Sequence, residues 1–421
     1  MYAFLKKMFV QKNILGWRKV CSMSRMKNFI KKETVLSIAI LLAVISVFFV
    51  LPDRQYLDYI DFRTLGILFS LMAIVAGLRQ LGLFDWFAGR LLQRVHGIGA
   101  IATVLILLCF FSSMLITNDV SLITFVPFTI VLAHKMSTII TEKWLLRIVV
   151  MQTIAANLGS MMTPIGNPQN LYLYGKTEMS VADFIKLMLP YTVVALVLLL
   201  GWISVCAWKD RRQTVVDTDD RRENQSNKLT AVKNDAGNKQ ITGNDIQNFQ
   251  LNWKLIGYVM LFVFSLLVVA RMIPYGILVG VVLLYIVLCD RKILGKVDYS
   301  LLATFVALFI FIGNIGRIDV FHDWLQHIIT GREVITSVLA SQVMSNVPAA
   351  ILLSGFTENI QALIIGTNLG GLGTLIASMA SLISFKYIAK ENVTLRGRYF
   401  LSFTIANVVF LVVMIIVNCN I

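Results

Sequence analysis

The sequence predicts an all-α polytopic membrane protein built from two inverted repeats, each with a re-entrant hairpin and a broken transmembrane helix. Three observations carry that prediction. Of 421 residues, 57% are hydrophobic and only 14% charged, whereas a soluble chain carries about 25% charged residues. Long uncharged apolar runs recur along the chain. The polar signatures of the first half return, in order, in the second. Strand-period alternation is absent, which argues against a transmembrane β-barrel.

Taken in order, residues 1–33 form a basic N-terminal segment with nine Lys/Arg, while the loop 52–61 holds one Arg and three Asp. That asymmetry follows the positive-inside rule and places the N-terminus in the cytoplasm. With Phe9, Leu15 and Trp17 among its basic residues, the segment suits either the inner leaflet or a solvated tail. Apolar runs at 35–51, 99–116, 191–207, 253–270 (apart from Lys254) and 400–417 approach the roughly 20 residues that cross hydrocarbon. The first run lacks a small-residue cleavage site after it and reads as an uncleaved helix. Residues 209–250 are rich in Lys, Arg, Asp, Asn and Gln and read as a cytoplasmic, disordered linker. It separates a first membrane half, 34–208, from a second, 251–421.

The net charge of +15 lies where orientation needs it, so no nucleic-acid partner is implied. Five scattered cysteines and four histidines make no CxxC or HExxH pattern, and no GxSxG or Walker sequence occurs. The parts of a hydrolase, a bound cofactor or an ATP-driven pump are missing from the sequence. The expectation is a chain that is no enzyme and whose surroundings are the lipid bilayer.

Self-similarity is the strongest signal. "DFRTLGILFSLMAIVAGLRQLGLFDWF" (61–87) resembles "DYSLLATFVALFIFIGNIGRIDVFHDWL" (298–325). "TNDVSLITF" (117–125) answers "SNVPAAILL" (345–353), and "NLGSMMT" (157–163) answers "NLGGLGT" (368–374). Charge gives the orientation. Arg79, Arg90, Arg94, Lys135, Lys143 and Arg147 fall inside, as do Lys386, Lys390, Arg396 and Arg398 of the second half. The repeat from Asp61 then starts outside and the repeat from Asp298 inside, so the copies are inverted. Inverted repeats with broken helices at matching places are the sequence pointer to a secondary transporter with its site near the midplane.

The breaks supply the candidate site. Thr117-Asn118-Asp119 and Ser345-Asn346 each precede a fresh apolar run. Ser, Thr and Asn are preferred helix caps, and a half-helix start at membrane depth offers N–H groups and partial positive charge to an anion. Within the stretch "ANLGSMMTPIGNPQNLYLYG" (156–175), Asn157–Asn167 read as the unwound centre of a crossing helix, as do the counterpart residues Asn368–Thr374. Backbone can leave the helix in a membrane only where protein, water or an ion satisfies it. Their Asn, Gly and Thr positions (Asn157, Gly159, Thr163 and Asn167; Asn368, Gly370 and Thr374) offer oxygens that suit a cation such as Na⁺, expected near Asn118, Asn157, Asn346 and Asn368.

These residues resemble the ion transporter superfamily, which includes arsenite permeases, D-type sodium/proton antiporters, citrate transporters and divalent anion/sodium symporters. The resemblance covers roughly residues 35–415. It implies a homodimer of the bacterial inner membrane with elevator-type alternating access, moving a small inorganic or organic anion coupled to H⁺ or Na⁺. The Ser-Asn-Thr tip of the dicarboxylate branch corresponds to Thr117-Asn118-Asp119 and Ser345-Asn346-Val347, and neither copy is intact. An Asn-Asp tip is closer to the arsenite permease and antiporter branch, where Asp119 would carry a proton. A cation/proton antiporter is the alternative reading, and a passive anion channel the next.

Overall fold

Leu-, Ile-, Val- and Ala-rich runs with no polar face form helices, because inside a membrane only the helix satisfies its own backbone. In the computed structural model the structure describes residues 33–93, 95, 97–136, 140–224 and 252–420. Among these residues every regular element is helical. Five helices among the described residues are long and apolar enough to cross a membrane: Phe62–Gln80, Ile98–Ile116, Val181–Asp210, Tyr299–Gly316 and Leu395–Asn420. The expected basic segment 1–33 lies outside the described residues except for Glu33. The expected linker differs in part. The helix that begins at Val181 runs on to Asn224, and residues 225–250 lie outside the described residues.

The chain divides into two compact units that cut across the two membrane halves. The smaller joins the chain before Phe62 to Asp298–Asp323. In it α1 (Thr34–Val47) buries Leu36, Ala39, Ala43 and Ser46, one face at helical spacing. That face meets the helix Tyr299–Gly316. Asn314 Nδ2 donates to Ser46 Oγ at 2.9 Å and to the Tyr56 hydroxyl at 2.8 Å. Arg317 pairs with Asp53 at 2.7 Å. Gly313 is required there, since a Cβ would strike the Tyr59 ring. The remaining faces of α1 expose Ile38, Leu41, Val44 and Ile45, as expected of a helix facing lipid.

The larger unit holds the rest. At its centre α2 (Glu142–Ser160) is buried at every position from Trp144 to Ser160 except Arg147, packed against α3 (Ile98–Ile116) and α4 (Asn118–Lys135). A helix apolar all round belongs inside. Its start is capped by Thr141, whose hydroxyl accepts from Trp144 N. Arg147 pairs with Asp210 at 2.9 Å, tying the start of α2 to the end of the Val181–Asp210 span. At the chain's end α5 (Leu395–Asn420) turns Tyr399, Phe403, Ala406, Phe410 and Met414 inward at three- and four-residue steps and leaves Leu401, Ile405, Val409 and Ile416 exposed.

Candidate functional site

Two tips stand out by backbone alone. α3 ends at Ile116 and α4 restarts at Asn118, with Thr117 between them at φ 72° and ψ 151°. α6 (Glu333–Met344) ends and α7 (Asn346–Leu353) restarts around Ser345, at φ 76° and ψ 153°. Positive φ at a β-branched residue is rare and strained, and strain persists where the surroundings over-determine it. Each following Asn donates its backbone N–H across to an unwound turn, Asn118 N to Gly166 O at 3.1 Å and Asn346 N to Ala377 O at 2.9 Å.

The turns correspond too. α2 stops at Ser160, and α8 (Pro168–Gly175) resumes after Asn167, whose Oδ1 accepts from Asn170 N. α9 (Ile360–Leu369) stops at Leu369, and α10 (Met379–Glu391) resumes after Ser378. Thr163 Oγ1 donates to Met114 O, and Thr374 Oγ1 donates to Gln342 O at 3.2 Å. Each of those acceptors lies four residues before the tip Asn. Gly159 and Gly370 occupy matched contacts as well. A Cβ at Gly159 would strike Phe110 O and Ser113 Oγ, and one at Gly370 would strike Ser341 Oγ.

The asparagines meet in one buried cluster. Asn118 Nδ2 donates to Asn157 Oδ1 at 3.1 Å, and the Ser378 hydroxyl donates to the same oxygen at 3.0 Å. In reciprocal fashion Asn167 Nδ2 donates to Asn368 Oδ1 at 3.1 Å. So the residue that ends one turn bonds the Asn that opens the other, in both directions. Asn157 Nδ2 reaches Gly371 O at 3.3 Å, and Asn368 Nδ2 reaches Asn170 Oδ1 at 2.6 Å. Asn118, Asn157, Asn167, Asn346 and Asn368 are all 4% exposed or less. No carboxylate or cation enters these bonds among the described residues, and buried side-chain networks of this kind favour one geometry.

Several sequence expectations need correction. Asn157 and Asn368 are not unwound: each sits in the last turn of its helix, and the breaks start at Met161 and Gly370. An amide on the final turn reaches the other turn without its own backbone leaving the helix. Neither Thr117 nor Ser345 caps its helix with its hydroxyl. Asn118 Oδ1 instead accepts from Asp119 N at 2.9 Å. The tips consequently offer fewer open donors than a bare half-helix start. Asn118 N, Asp119 N, Asn346 N and Ala349 N are bonded within the protein, and Pro348 has none. Gly159 and Gly370 serve close packing. Thr163 and Thr374 fasten turn to arm, with Thr374 exposed. Asp119 is half-buried beside the first tip.

Sequence reading missed Asn170, Ser378 and Gln342. Gln342 Nε2 donates to Gly370 O at 3.1 Å and Leu372 O at 2.9 Å, and Oε1 accepts from Thr374 N at 2.8 Å. Ser378 was findable: it aligns with Asn167 once the turns are superposed on their Asn-Leu-Gly starts. Gln342 aligns with Met114, and no sequence signal marks it.

Apolar helices of membrane length around a buried amide cluster, with crossings broken on either side of it, define a multi-pass membrane protein of the transporter class. The chain belongs to the citrate transporter family, which matches residues 26–364. It is 29% identical over 380 residues to an uncharacterized transporter of Methanocaldococcus jannaschii, covering 90% of this chain and 95% of that one. It is 27% identical over 347 residues to the inner membrane protein YbiR of Escherichia coli, covering 81% and 84%. A shorter match, 28% over 174 residues, covers 41% of this chain and 35% of the silicon efflux transporter LSI3 of rice.

Proposed function

We propose that the protein is a secondary active transporter of a small anion, a carboxylate or oxyanion, coupled to H⁺ or Na⁺, which binds it between the two tips. The single observation behind this reading is the reciprocal bonding of the two turns, Asn167 to Asn368 and Ser378 to Asn157. Two copies of one broken crossing related in that way are what an inverted repeat produces at its pseudo-twofold axis. The first-turn N–H groups of Val120 and Val347 remain as donors to an anion. The amide and carbonyl oxygens around Asn118, Asn157, Asn346 and Asn368 form the acceptor side suited to Na⁺. Family membership and the efflux named for the rice relative favour transport of a small solute over catalysis.

Asp119 favours a second reading, a cation/proton antiporter, because a carboxylate one residue past the tip can carry the proton itself. Intramembrane acids usually mark ion pathways.

The deciding experiment is uptake into proteoliposomes of the purified full-length protein, screening citrate, other carboxylates, phosphate, sulfate and arsenite under imposed Na⁺ or pH gradients. Gradient-driven, saturable uptake of one anion is the expected result. Cation exchange against protons with no anion moved would establish the antiporter instead. Orientation has its own test. Cysteines introduced at Asp58 and Asn224 should react with impermeant reagents from opposite sides, and labelling of both from one side would remove the inverted repeat. Pairs such as Arg147 with Asp210 and Glu391 with His134 already join residues that the charge rule puts on one side. Elevator movement, a homodimeric assembly and a bacterial inner-membrane location complete the proposal.

A further inference from the structure

A second polar feature of the larger unit lies outside the asparagine cluster. A cavity of ≈ 530 Å³ is lined by Arg63, Gly175, Glu178, Arg271, Met272 and Tyr275, among others. It includes none of the tip or turn residues. A second, small pocket shares Arg63 and Gly175 with it and is lined also by Thr64 and Tyr174.

The two arginines differ in a way that points to a ligand. Arg271 is a structural fixture. Its guanidinium donates to Tyr174 O at 2.9 Å, in the last turn of α8 where a cation is favoured, and to Thr177 O just past that helix. It also lies 4.9 Å from the Tyr174 ring centroid, within cation–π range. Its backbone sits at φ 64°, a conformation that Gly or Asn adopts more readily. Glu178 approaches Arg271 only to 3.8 Å and its side chain is fully exposed, so it neutralises the site weakly.

Arg63 has no such tie. Its guanidinium makes no hydrogen bond or ion pair among the described residues. It stands in the first turn of the helix Phe62–Gln80, where the macrodipole disfavours a cation. Helix stability therefore gives no reason for its presence. A half-buried guanidinium without a partner, facing one cavity with a second, immobilised guanidinium, makes a site of net positive charge. The planar forks suit an oxyanion with two or three acceptor oxygens.

We propose that the Arg63–Arg271 cavity is a distinct anion-binding site that takes a carboxylate or phosphate group, either on a free solute or on a lipid headgroup. With a free solute it would act as an antechamber, gathering anions ahead of the tips by raising their local concentration. That role rests on the proposed anion transport, whereas the binding itself does not.

The test reads Arg63 directly and needs no transport. Full-length protein in phosphatidylcholine nanodiscs is treated with phenylglyoxal, and modification of Arg63 is followed by peptide mass spectrometry. Sodium phosphate and sodium citrate are compared with sodium chloride at equal ionic strength, and the series is repeated in discs containing phosphatidylglycerol. The expected result is several-fold slower modification of Arg63 with phosphate or citrate, and less protection in Arg271→Lys, which keeps the charge but loses the fork. Protection that appears only with phosphatidylglycerol assigns the site to a headgroup. Equal modification rates under every condition would overturn the proposal. Asn118→Ala should keep the protection even where its transport is lost. If the protection vanished in that variant, the bound anion would be at the tips and the second site would not exist.

Discussion

The two tip-and-turn regions share a hydrogen-bond plan and differ in what surrounds it. Both have a residue at positive φ, an Asn N–H bonded to the turn of its own copy, a Thr fastened to the arm carbonyl and a Gly packed against that arm. The first copy carries long arms, 19 and 18 residues, close to membrane length at about 1.5 Å per residue. The second carries arms of 12 and 8 residues. The first tip continues into Asp119 and the second into Val347. The second turn is clamped by Gln342, where the first has Met114. Shared contacts thus define a common frame, while the differences place a carboxylate in one copy and a clamp in the other.

Removing the frame should have the largest effect. Asn118→Ala and Asn346→Ala should each reduce uptake to background. A side-chain hydrogen bond contributes only about 0.5–1.5 kcal/mol, so both variants should still insert and elute as the folded protein. Normal transport by one of them would break the equivalence of the copies.

Next in size is the charge that only the first copy holds. Asp119→Asn keeps an oxygen acceptor but cannot ionise. The variant should fold, lose gradient-coupled transport and its dependence on pH, and retain exchange of substrate across the membrane. Wild-type coupling in this variant would reduce Asp119 to a local hydrogen-bonding role and leave the two tips functionally alike.

The glycines test packing rather than chemistry. Overpacking costs about 1–3 kcal/mol. Gly159→Ala should exceed Gly370→Ala, because its new methyl meets the Phe110 carbonyl of the backbone while the other meets first the Ser341 side chain. Thermal unfolding in detergent, followed by Trp fluorescence, measures the order of the two. The smallest effect belongs to the clamp. Gln342→Met copies the first region and removes three bonds to the 370–374 turn. A fall in midpoint smaller than that of Gly159→Ala is expected, together with faster hydrogen exchange at Thr374 N. Unchanged exchange there would show that the turn holds without its clamp.

Much of this was legible in the sequence because the membrane simplifies the code. Apolar runs must be helices, and polar backbone-breaking residues such as Asn167-Pro168 and Ser345-Asn346 are tolerated only where something satisfies them. The positions of both tips and both turns could therefore be read from residue types and their repetition. The exact breaks could not. Asn157 and Asn368 resemble unwinding residues by composition, yet they remain helical, and it is their side chains that meet the other turn, through the Ser378 hydroxyl and the Asn167 amide.

Sequence by itself determined the helical class, the pairing of the two polar signatures and the identity of the central amides other than Asn170, since hydrophobicity and helix-breaking chemistry are local properties. Tertiary structure alone decided which amide bonds which, that the Thr and Gly of each motif serve as fastening and packing, and that Gln342 holds one turn. It also decided that Arg63 and Arg271, 208 positions apart by their numbering, face one cavity. Each of these depends on distances between segments far apart in the chain, and those are fixed only when the helices pack.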